Sequence, residues 1–588
     1  MKRNSLLNLA LCLWFTLYCF GVQAKEASFD LMMTGSELQF CRSTMLSQCN
    51  PESISQFSKD ATRQSKLFKL SMDKVNKAMS AQLWHSSRQV LRYELNIFLT
   101  ELAKKIGTTT MSYEQLVNRW KTLIIKQGSS NYSGHSLFLR LNKIEHDMLF
   151  DFLEVAQLDS FGRTLKEQVV VDDPKFPNSI KLGKTIVEQA RLVNSNKTPK
   201  ILLVTAGTRD GFSDVNAYKA FFDALGATTS WLPVDRAINT LQVDKANCSL
   251  LEKYREKFLN SYQRTNIHQE LVALQYQYCD EPEKISQAIK QADGLVFIGD
   301  SPKLLRDSFI IHDKVISSPL RLIKQQVNQN KLFIAALGDV SRAMVGYKNK
   351  QPIIISGGSE NVMAFGASQA ALTKTYCQGA FICKPKATIY SQGGIGLFDF
   401  ALVDTNFSKR GRFARLANVA MDAEHEFGLG LDQDTALLVA KEANGYIMQV
   451  SGLSGVSLLQ RQLDKPKSST HELNDIKVSY FTPGDILKVS GSMIEVEYPK
   501  WKPSITSFLN QPQDYNNLLF SDNFYRFAQQ ACLIKETLWS GFAGRKKEYR
   551  VSLEKSEQTQ LKMGGLKVDS GFKLYCSFHA LTLNLTRR

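Results

Sequence analysis

The segment ILLVT, residues 201–205, is an apolar run that ends in threonine, and it decides the fold class of this chain. An apolar run without polar alternation is typical of a strand that is buried on both faces of a parallel sheet. Residues 215–226 follow with the periodicity of an amphipathic helix and end at a glycine. Further strand-like runs at 294–298 and 331–335 each follow a helix-like segment. This repetition predicts an α/β domain with a doubly wound, mostly parallel sheet.

Three later strand-like runs are also predicted to be strands of this doubly wound sheet. They lie at residues 397–403, 435–439 and 446–450, around a helix-like segment at 412–426. Their order fits the far side of the same doubly wound sheet.

The sequence on either side of this α/β pattern predicts a helical insert before it and a β-rich extension after it. Residues 25–53 supply the first strand of the α/β domain, and residues 54–199 show helical periodicity and predict a helical insert. Residues 200–485 contain the α/β domain proper. Residues 486–588 mix strand-like runs with loops and predict a β-rich extension.

The first 24 residues have the features of a secretory signal peptide. Lys2 and Arg3 precede an apolar run without an acidic residue, and residues 22–24 resemble a cleavage site. The run is shorter than the roughly 20 apolar residues that span a bilayer. We therefore expect an exported protein, periplasmic or secreted, with no integral membrane segment after signal removal.

The formal charge of +17 leaves three interpretations open: a solvated surface, attraction to an anionic envelope surface, or attraction of peptides with acidic groups. Lysine and arginine are spread along the chain, and no basic segment is interleaved with aromatic residues. We therefore expect no nucleic-acid partner. The sequence leaves a homodimer open.

Eight of the ten cysteines remain after signal removal, an even number that favours disulfides in an oxidising compartment. None of the spacings is C-x-x-C, so we expect no metal and no cofactor. Eight cysteines allow about 105 connectivities. Pairing of sequence neighbours gives Cys41 with Cys49, Cys248 with Cys279, Cys377 with Cys383, and Cys532 with Cys576.

Polar turns follow three of the predicted strands, at residues 299–301, 338–343 and 404–407. Ligands of open α/β sheets bind beyond the carboxyl ends of the strands, so these turns are candidate site segments.

Two of the following segments resemble the cyanophycinase and dipeptidase E family of serine peptidases. NFSKRGRFARL at 406–416 is similar to the family's Phe-Ser-x-Arg-Gly-Arg segment, and GLGLDQDTA at 428–436 is similar to its Gly-x-Gly-x-Asp segment. The resemblance covers about residues 29–49 and 200–485. It implies a fold of the class I glutamine amidotransferase-like or flavodoxin-like type.

The resemblance also implies a serine, a histidine and a glutamate as the catalytic residues, and this chain departs from that set. Val340 stands at the serine position, Asn406 at the histidine position, and Glu360 is a loose candidate for the glutamate. Arg342 stands where the family has a glycine. Valine cannot attack a carbonyl and asparagine cannot act as a general base. We therefore expect a catalytically degenerate protein that binds peptides or acts as a scaffold, although enzyme activity stays open.

The alternative is an active exopeptidase that hydrolyses aspartyl or β-aspartyl peptides with Ser341 as a relocated nucleophile. His425 is then the closest histidine in sequence to the lost base. In either case the resemblance points to substrate-binding positions at the three turns, where guanidinium groups could bind carboxylates of a peptide. These positions are Gly299, Asp300, Gly338, Arg410 and Arg412.

We predict that Cys377 and Cys383 are bridged, because a short loop holds two thiols close together in an oxidising compartment. Mass spectrometry of non-reduced peptides from the exported protein checks this. Free thiols at both positions would contradict it.

Overall fold

The structure is a computed structural model, and it describes residues 28–59, 61–62, 66–346, 351–369, 387–463, 472–505, 509, 511–568 and 571–588. The expected signal peptide, Cys377 and Cys383 lie outside the described residues.

The N-terminal third contains the first sheet strand and most of the predicted insert. Its strands are β1 (Leu31–Thr34), β2 (Cys41–Arg42), β3 (Leu67–Lys69), β4 (Thr110–Ser112), β5 (Ile124–Gln127), β6 (Ser130–Ser133), β7 (Glu154–Val155) and β8 (Val169–Val170). Its helices are α1 (Pro51–Ile54), α2 (Met72–Ala78), α3 (Gln89–Ile106), α4 (Tyr113–Thr122), α5 (Gly134–Arg140), α6 (Lys143–Leu153) and α7 (Pro177–Asn194).

The middle of the chain alternates strands with helices. The strands are β9 (Lys200–Val204), β10 (Thr228–Trp231), β11 (Gly294–Phe297), β12 (Ile310–Ile311), β13 (Val315–Ile316), β14 (Phe333–Ala336), β15 (Ile353–Ser356), β16 (Ala367–Gln369), β17 (Ala387–Tyr390), β18 (Leu402–Asp404) and β19 (Phe427–Leu431). The helices are α8 (Val215–Ala224), α9 (Arg236–Val243), α10 (Leu251–Leu259), α11 (Arg264–Ile267), α12 (Gln269–Asp280), α13 (Glu283–Gln291), α14 (Pro302–Phe309), α15 (Ser318–Asn328), α16 (Ser359–Phe365) and α17 (Phe413–Asp422).

The C-terminal part is rich in strands. They are β20 (Thr435–Glu442), β21 (Gly445–Gly452), β22 (Val456–Gln460), β23 (Leu473–Phe481), β24 (Ile486–Ser490), β25 (Met493–Glu497), β26 (Leu538–Ala543), β27 (Tyr549–Glu554), β28 (Gln560–Val568) and β29 (Gly571–Arg587), with one helix, α18 (Asn523–Gln529), in the described part. The chain is therefore α/β with a β-rich C-terminal region.

The main sheet has nine strands in the order β10-β9-β11-β14-β1-β20-β21-β24-β25. Strands β10 to β1 are parallel, whereas every pairing from β1 to β25 is antiparallel. The expected mostly parallel sheet is thus wrong for one half. Short hairpins join β20 to β21 and β24 to β25, and such connections are too short for the crossover that parallel strands need.

Alternate residues of the central strands enter cores on opposite faces of this sheet. Met32 packs with Ile201 and Leu203 on one face, whereas Met33 packs with Leu202 on the other. Helix α7, at the end of the predicted insert, covers the first of these faces. Helices on both faces explain why these strands are continuous apolar runs.

A second sheet has the order β18-β19-β22-β23-β29-β27-β26, with β28 paired to β29. Strand β18 corresponds to the run at 397–403, so its expected place in the main sheet is wrong. It pairs in parallel with β19, where Gly428 and Gly430 leave room for the side chains of Leu416 and Phe407. Strand pairing also connects residues on both sides of position 485, because β23 pairs with β29. The predicted domain boundaries stay predictions.

The predicted insert has its own core and joins the α/β part through buried ion pairs. Arg264 is 1% exposed and contacts Glu154 and Asp210, each at 2.8 Å. Arg209 contacts Asp151 of the insert at 2.6 Å. A buried charge that loses its partner is strongly destabilising, so this network fixes where the insert lies above the sheet.

Three of the predicted disulfides are formed: Cys41 with Cys49, Cys248 with Cys279, and Cys532 with Cys576. They are consistent with an extracellular or periplasmic protein. Across the described part of the chain, the helices are all too short or too polar to cross a bilayer.

Candidate functional site

The candidate site lies at the carboxyl ends of β1, β9, β11 and β14, where glycines let the backbone segments approach closely. Gly299 follows β11 with φ 146° and lies so near Gly207, which follows β9, that a Cβ on Gly299 would overlap the Gly207 backbone. Gly338 follows β14 with φ 68°. These positive φ values favour glycine, and they shape the edge of the sheet.

The end of β1 joins the remaining turns to this edge. The Gly338 amide donates to Thr34 Oγ1 at 2.8 Å, and the Asn406 amide donates to the Gly35 carbonyl at 2.8 Å. Gly299 and Gly338 therefore lie at one edge, as the strand order of an open sheet predicts. The contact with Gly35 brings Asn406, which follows a strand of the second sheet, to the same edge. Asn406 has φ 46°, a left-handed conformation in which asparagine is tolerated.

Val340, at the position that the resemblance assigns to the nucleophile, is fully buried. Its Cγ1 lies against Gly207, at a place where a Cβ on that glycine would overlap it. An apolar side chain therefore fills the space beneath the Gly207 and Gly299 turns. The position contributes packing.

Ser341, the alternative nucleophile, is also fully buried. Its hydroxyl donates to the carbonyl oxygens of Thr34 at 3.0 Å and Ala336 at 2.9 Å. The ring of His425 contacts the Gln351 amide and the backbone of Phe427 instead. A nucleophile needs a base that accepts its proton, and these contacts give Ser341 acceptors that are carbonyls.

Glu360 lies away from this edge and faces the C-terminal part. Its carboxylate accepts from the Asn517 amide at 2.6 Å and lies 3.5 Å from Arg545. Asn406 contacts Gly35 through its backbone. The three expected catalytic positions thus do not form a chain of hydrogen-bonded side chains among the described residues.

Asp404, at the end of β18, is the centre of a buried cluster of arginines. Arg415 donates to it at 2.9 and 2.6 Å, and Arg412 lies 3.2 Å away. Although burial opposes ionisation, the positive charges of Arg415 and Arg412 lower the pKa of Asp404 to about 2. Burial lowers the pKa of Arg412 to about 10. Arg412 also donates to the Thr405 carbonyl, so its donors are used inside the protein, whereas Arg410 is exposed.

Arg342 fixes the turn after β14 from beneath. Its side chain is 3% exposed, donates to the Ile354 carbonyl at 2.5 Å and lies 2.8 Å from Asp339. Asp339 also accepts from the Thr405 hydroxyl at 2.5 Å. Arg342 therefore joins the turn to neighbouring segments and places Asp339 at the edge.

Four carboxylates gather at this edge: Glu37, Asp214, Asp300 and Asp339, together called the acidic edge. Glu37 is partly exposed, but neighbours crowd its carboxyl group, and burial followed by the charges of the other three raises its pKa to about 7. Burial also raises the pKa of Asp300. Sequence reasoning missed Glu37, although its place directly after the β1 turn at Gly35 would have included it among the strand-end residues.

A cavity of about 250 Å³ lies beside the acidic edge, between the insert and the loop that follows β9. Lys66 of the insert and Arg42 line it together with Phe212, Asp214 and His268. Asp214 therefore belongs both to the cavity wall and to the acidic edge. Clefts between structural units are where small-ligand sites commonly occur.

Comparisons with known proteins give little beyond this geometry. No family model matches the chain. Among solved structures, the crystal structure of a peptidase from an acI-B1 Actinobacterium is similar at 15% identity, over 53% of this chain and 90% of that one, with a TM-score of 0.29. A TM-score of this size supports no inference about family or activity.

We predict that Gly207→Ala destabilises the protein by about 1–3 kcal/mol, because the new methyl group overlaps Val340 Cγ1. The double variant Gly207→Ala with Val340→Ala should recover part of this loss. Urea unfolding measures both. Gly358→Ala is the matched control, since a Cβ there meets nothing within 4 Å. Equal stability of the Gly207 and Gly358 variants would contradict the packing described.

We predict that ionised Asp404 contributes about 2 kcal/mol to the free energy of unfolding. This contribution is present above the pKa of the unfolded state, near 4, and is lost as pH falls towards 2. Asp404→Asn should be strongly destabilised at pH 5, because Arg412 and Arg415 lose their anionic partner. At pH 2, the difference in free energy of unfolding between this variant and the wild type should be smaller by about 2 kcal/mol. Urea unfolding at both pH values measures this, with exposed Asp514→Asn as control. A deficit that does not change with pH would refute the assignment.

Proposed function

We propose that this chain is an exported, catalytically degenerate relative of the cyanophycinase-like serine peptidases that binds a ligand at the acidic edge without hydrolysing it. The observation that carries the proposal is the packing of Val340 beneath Gly207, together with the use of the Ser341 hydroxyl by two carbonyls. The order β10-β9-β11-β14 is compatible with a flavodoxin-like sheet, which supports the same relationship.

Loss of hydrolysis follows from the proton transfers that the reaction needs. Attack by a serine requires a base within hydrogen-bond reach and a group that orients that base. The neighbourhood of Val340 and Asn406 supplies backbone contacts and apolar packing instead. Without a nucleophile there is no acyl intermediate, however well a peptide is bound.

The charge of the acidic edge favours a ligand that carries a basic group. The expected binding of acidic peptides relied on Arg410 and Arg412, but Arg412 donates to Asp404 and Thr405. Glu37 and Asp300 instead present carboxylates, which suit a guanidinium or ammonium group, whereas Asp339 beside them is already paired with Arg342. The neighbouring cavity would take the rest of a short peptide. We therefore propose peptides with an arginine or lysine side chain as the ligand class.

The proposal predicts binding without turnover. Mature protein mixed with aspartyl-arginine dipeptides in α and β linkage, or with aspartyl-glutamate dipeptides, should release no free amino acids by mass spectrometry. Calorimetric titration should detect the arginine peptides only. Turnover that Ser341→Ala abolishes would establish the alternative, an active exopeptidase.

Affinity should rise with pH, because Glu37 with a pKa of about 7 gains its negative charge between pH 6 and pH 8. One further partly exposed ion pair tightens binding by about fivefold. Glu37→Gln should abolish this dependence, whereas exposed Glu557→Gln should keep it. Equal affinity at both pH values in the wild type would exclude Glu37 from the site.

A further inference from the structure

Arg255, on helix α10, is a buried cation that the proposed function does not use. It is 1% exposed, and its Nε, Nη1 and Nη2 atoms donate to no residue within the described ranges. A guanidinium keeps its charge at any physiological pH and has five N–H donors. Burial of such a group is costly unless it is paired and hydrogen-bonded.

Aromatic rings surround the Arg255 guanidinium. Its central carbon lies 5.6 Å from the Phe212 ring centroid and 6.0 Å from that of Tyr276. Attraction to a ring face offsets about 2 kcal/mol of the free-energy cost of burying the charge. It satisfies none of the N–H donors. The rings therefore form walls around the charge and leave its hydrogen bonds unmade.

The nearby carboxylate of Asp235 makes its hydrogen bonds to groups other than Arg255. Its oxygens accept from the Ile238 amide at 2.9 Å and from the Gln275 side chain at 2.7 Å. Burial raises the pKa of Asp235 even though Arg255 acts in the opposite direction. None of the Arg255 donors reaches a carboxylate in the described part of the chain, so Asp235 leaves them unsatisfied.

Two further polar groups near Arg255 are buried without partners in the described structure. The Ser261 amide donates to the Arg255 carbonyl at 3.5 Å, and the Ser261 hydroxyl makes no hydrogen bond to a described residue. Gln275 is fully buried, and its Oε1 accepts from none. Each such group costs about 1–3 kcal/mol if it stays unsatisfied. One bound species that accepts from both would satisfy Arg255 and Ser261, whereas the Gln275 oxygen needs a donor.

We propose that Arg255 holds a small monovalent anion, with the Ser261 hydroxyl as a second donor. The site lies beyond the carboxyl ends of β9 and β10, because Phe212 follows the first strand and Asp235 the second. Water could fill some of the donors, but it would leave the buried charge without a counterion. The proximity of Asp235 disfavours a dianion.

The test measures thermal unfolding of the mature protein in sodium gluconate, a bulky anion that serves as the reference. Chloride, bromide, formate or phosphate replaces gluconate at constant ionic strength. A ligand of the folded state raises the Tm in proportion to the logarithm of its concentration above Kd, so the small monovalent anions should raise it by a few degrees at about a hundredfold excess over Kd. Phosphate should have less effect.

Variants assign this response to Arg255. Arg255→Met keeps the length and apolar stem of the side chain and should remove the anion response, whereas exposed Arg119→Met should retain it. Ser261→Ala should weaken it. A response that is equal in the wild type and in Arg255→Met would overturn the proposal.

Crystals grown in sodium bromide decide the question even where the Arg255 variant does not fold. An anomalous peak within about 3.5 Å of the guanidinium nitrogens supports the proposal. Density there that is explained by water, without an anomalous signal, would overturn it.

Discussion

The strand Leu31–Thr34 holds the main sheet together, because it pairs in parallel with β14 on one side and antiparallel with β20 on the other. Without it, the parallel half and the antiparallel half would share no hydrogen-bonded neighbour in this sheet. Its partners are about 300 and 400 residues away in sequence. The chain must therefore close a very long loop to form the centre of its core, and such pairing is entropically costly and slow.

The same strand builds the candidate site. Thr34 accepts from the Gly338 amide, and its carbonyl accepts from the Ser341 hydroxyl, so the turn after β14 is held to the end of β1. Burial of a valine side chain stabilises a fold by about 1.5–3 kcal/mol relative to exposure. At this edge of the sheet, the buried Val340 side chain therefore contributes packing beneath Gly207.

The sequence predicts the parallel half well, because the apolar runs that become β9, β11 and β14 are buried on both faces and read without ambiguity. It does not predict the sheet that β18 enters, since its apolar run is like those of the main sheet and the choice depends on tertiary packing. Likewise, the arginines at 410–415 have the spacing of charges on an exposed helix surface. The sequence does not show that Arg412 and Arg415 are instead buried in ion pairs with Asp404. Of the acidic edge, the sequence places Asp300 and Asp339 in predicted turns, but it does not show that Glu37 and Asp214 join them from separate loops.

The central claim is that the sheet edge at the end of β14 carries no reactive serine. Intact-mass spectrometry after treatment of the mature protein with a fluorophosphonate, which labels only activated serine hydroxyls, tests it most directly. Because the Ser341 hydroxyl is buried and donates to two carbonyl oxygens, the account predicts an unmodified mass after prolonged treatment. A stoichiometric adduct mapped to Ser341 would contradict it.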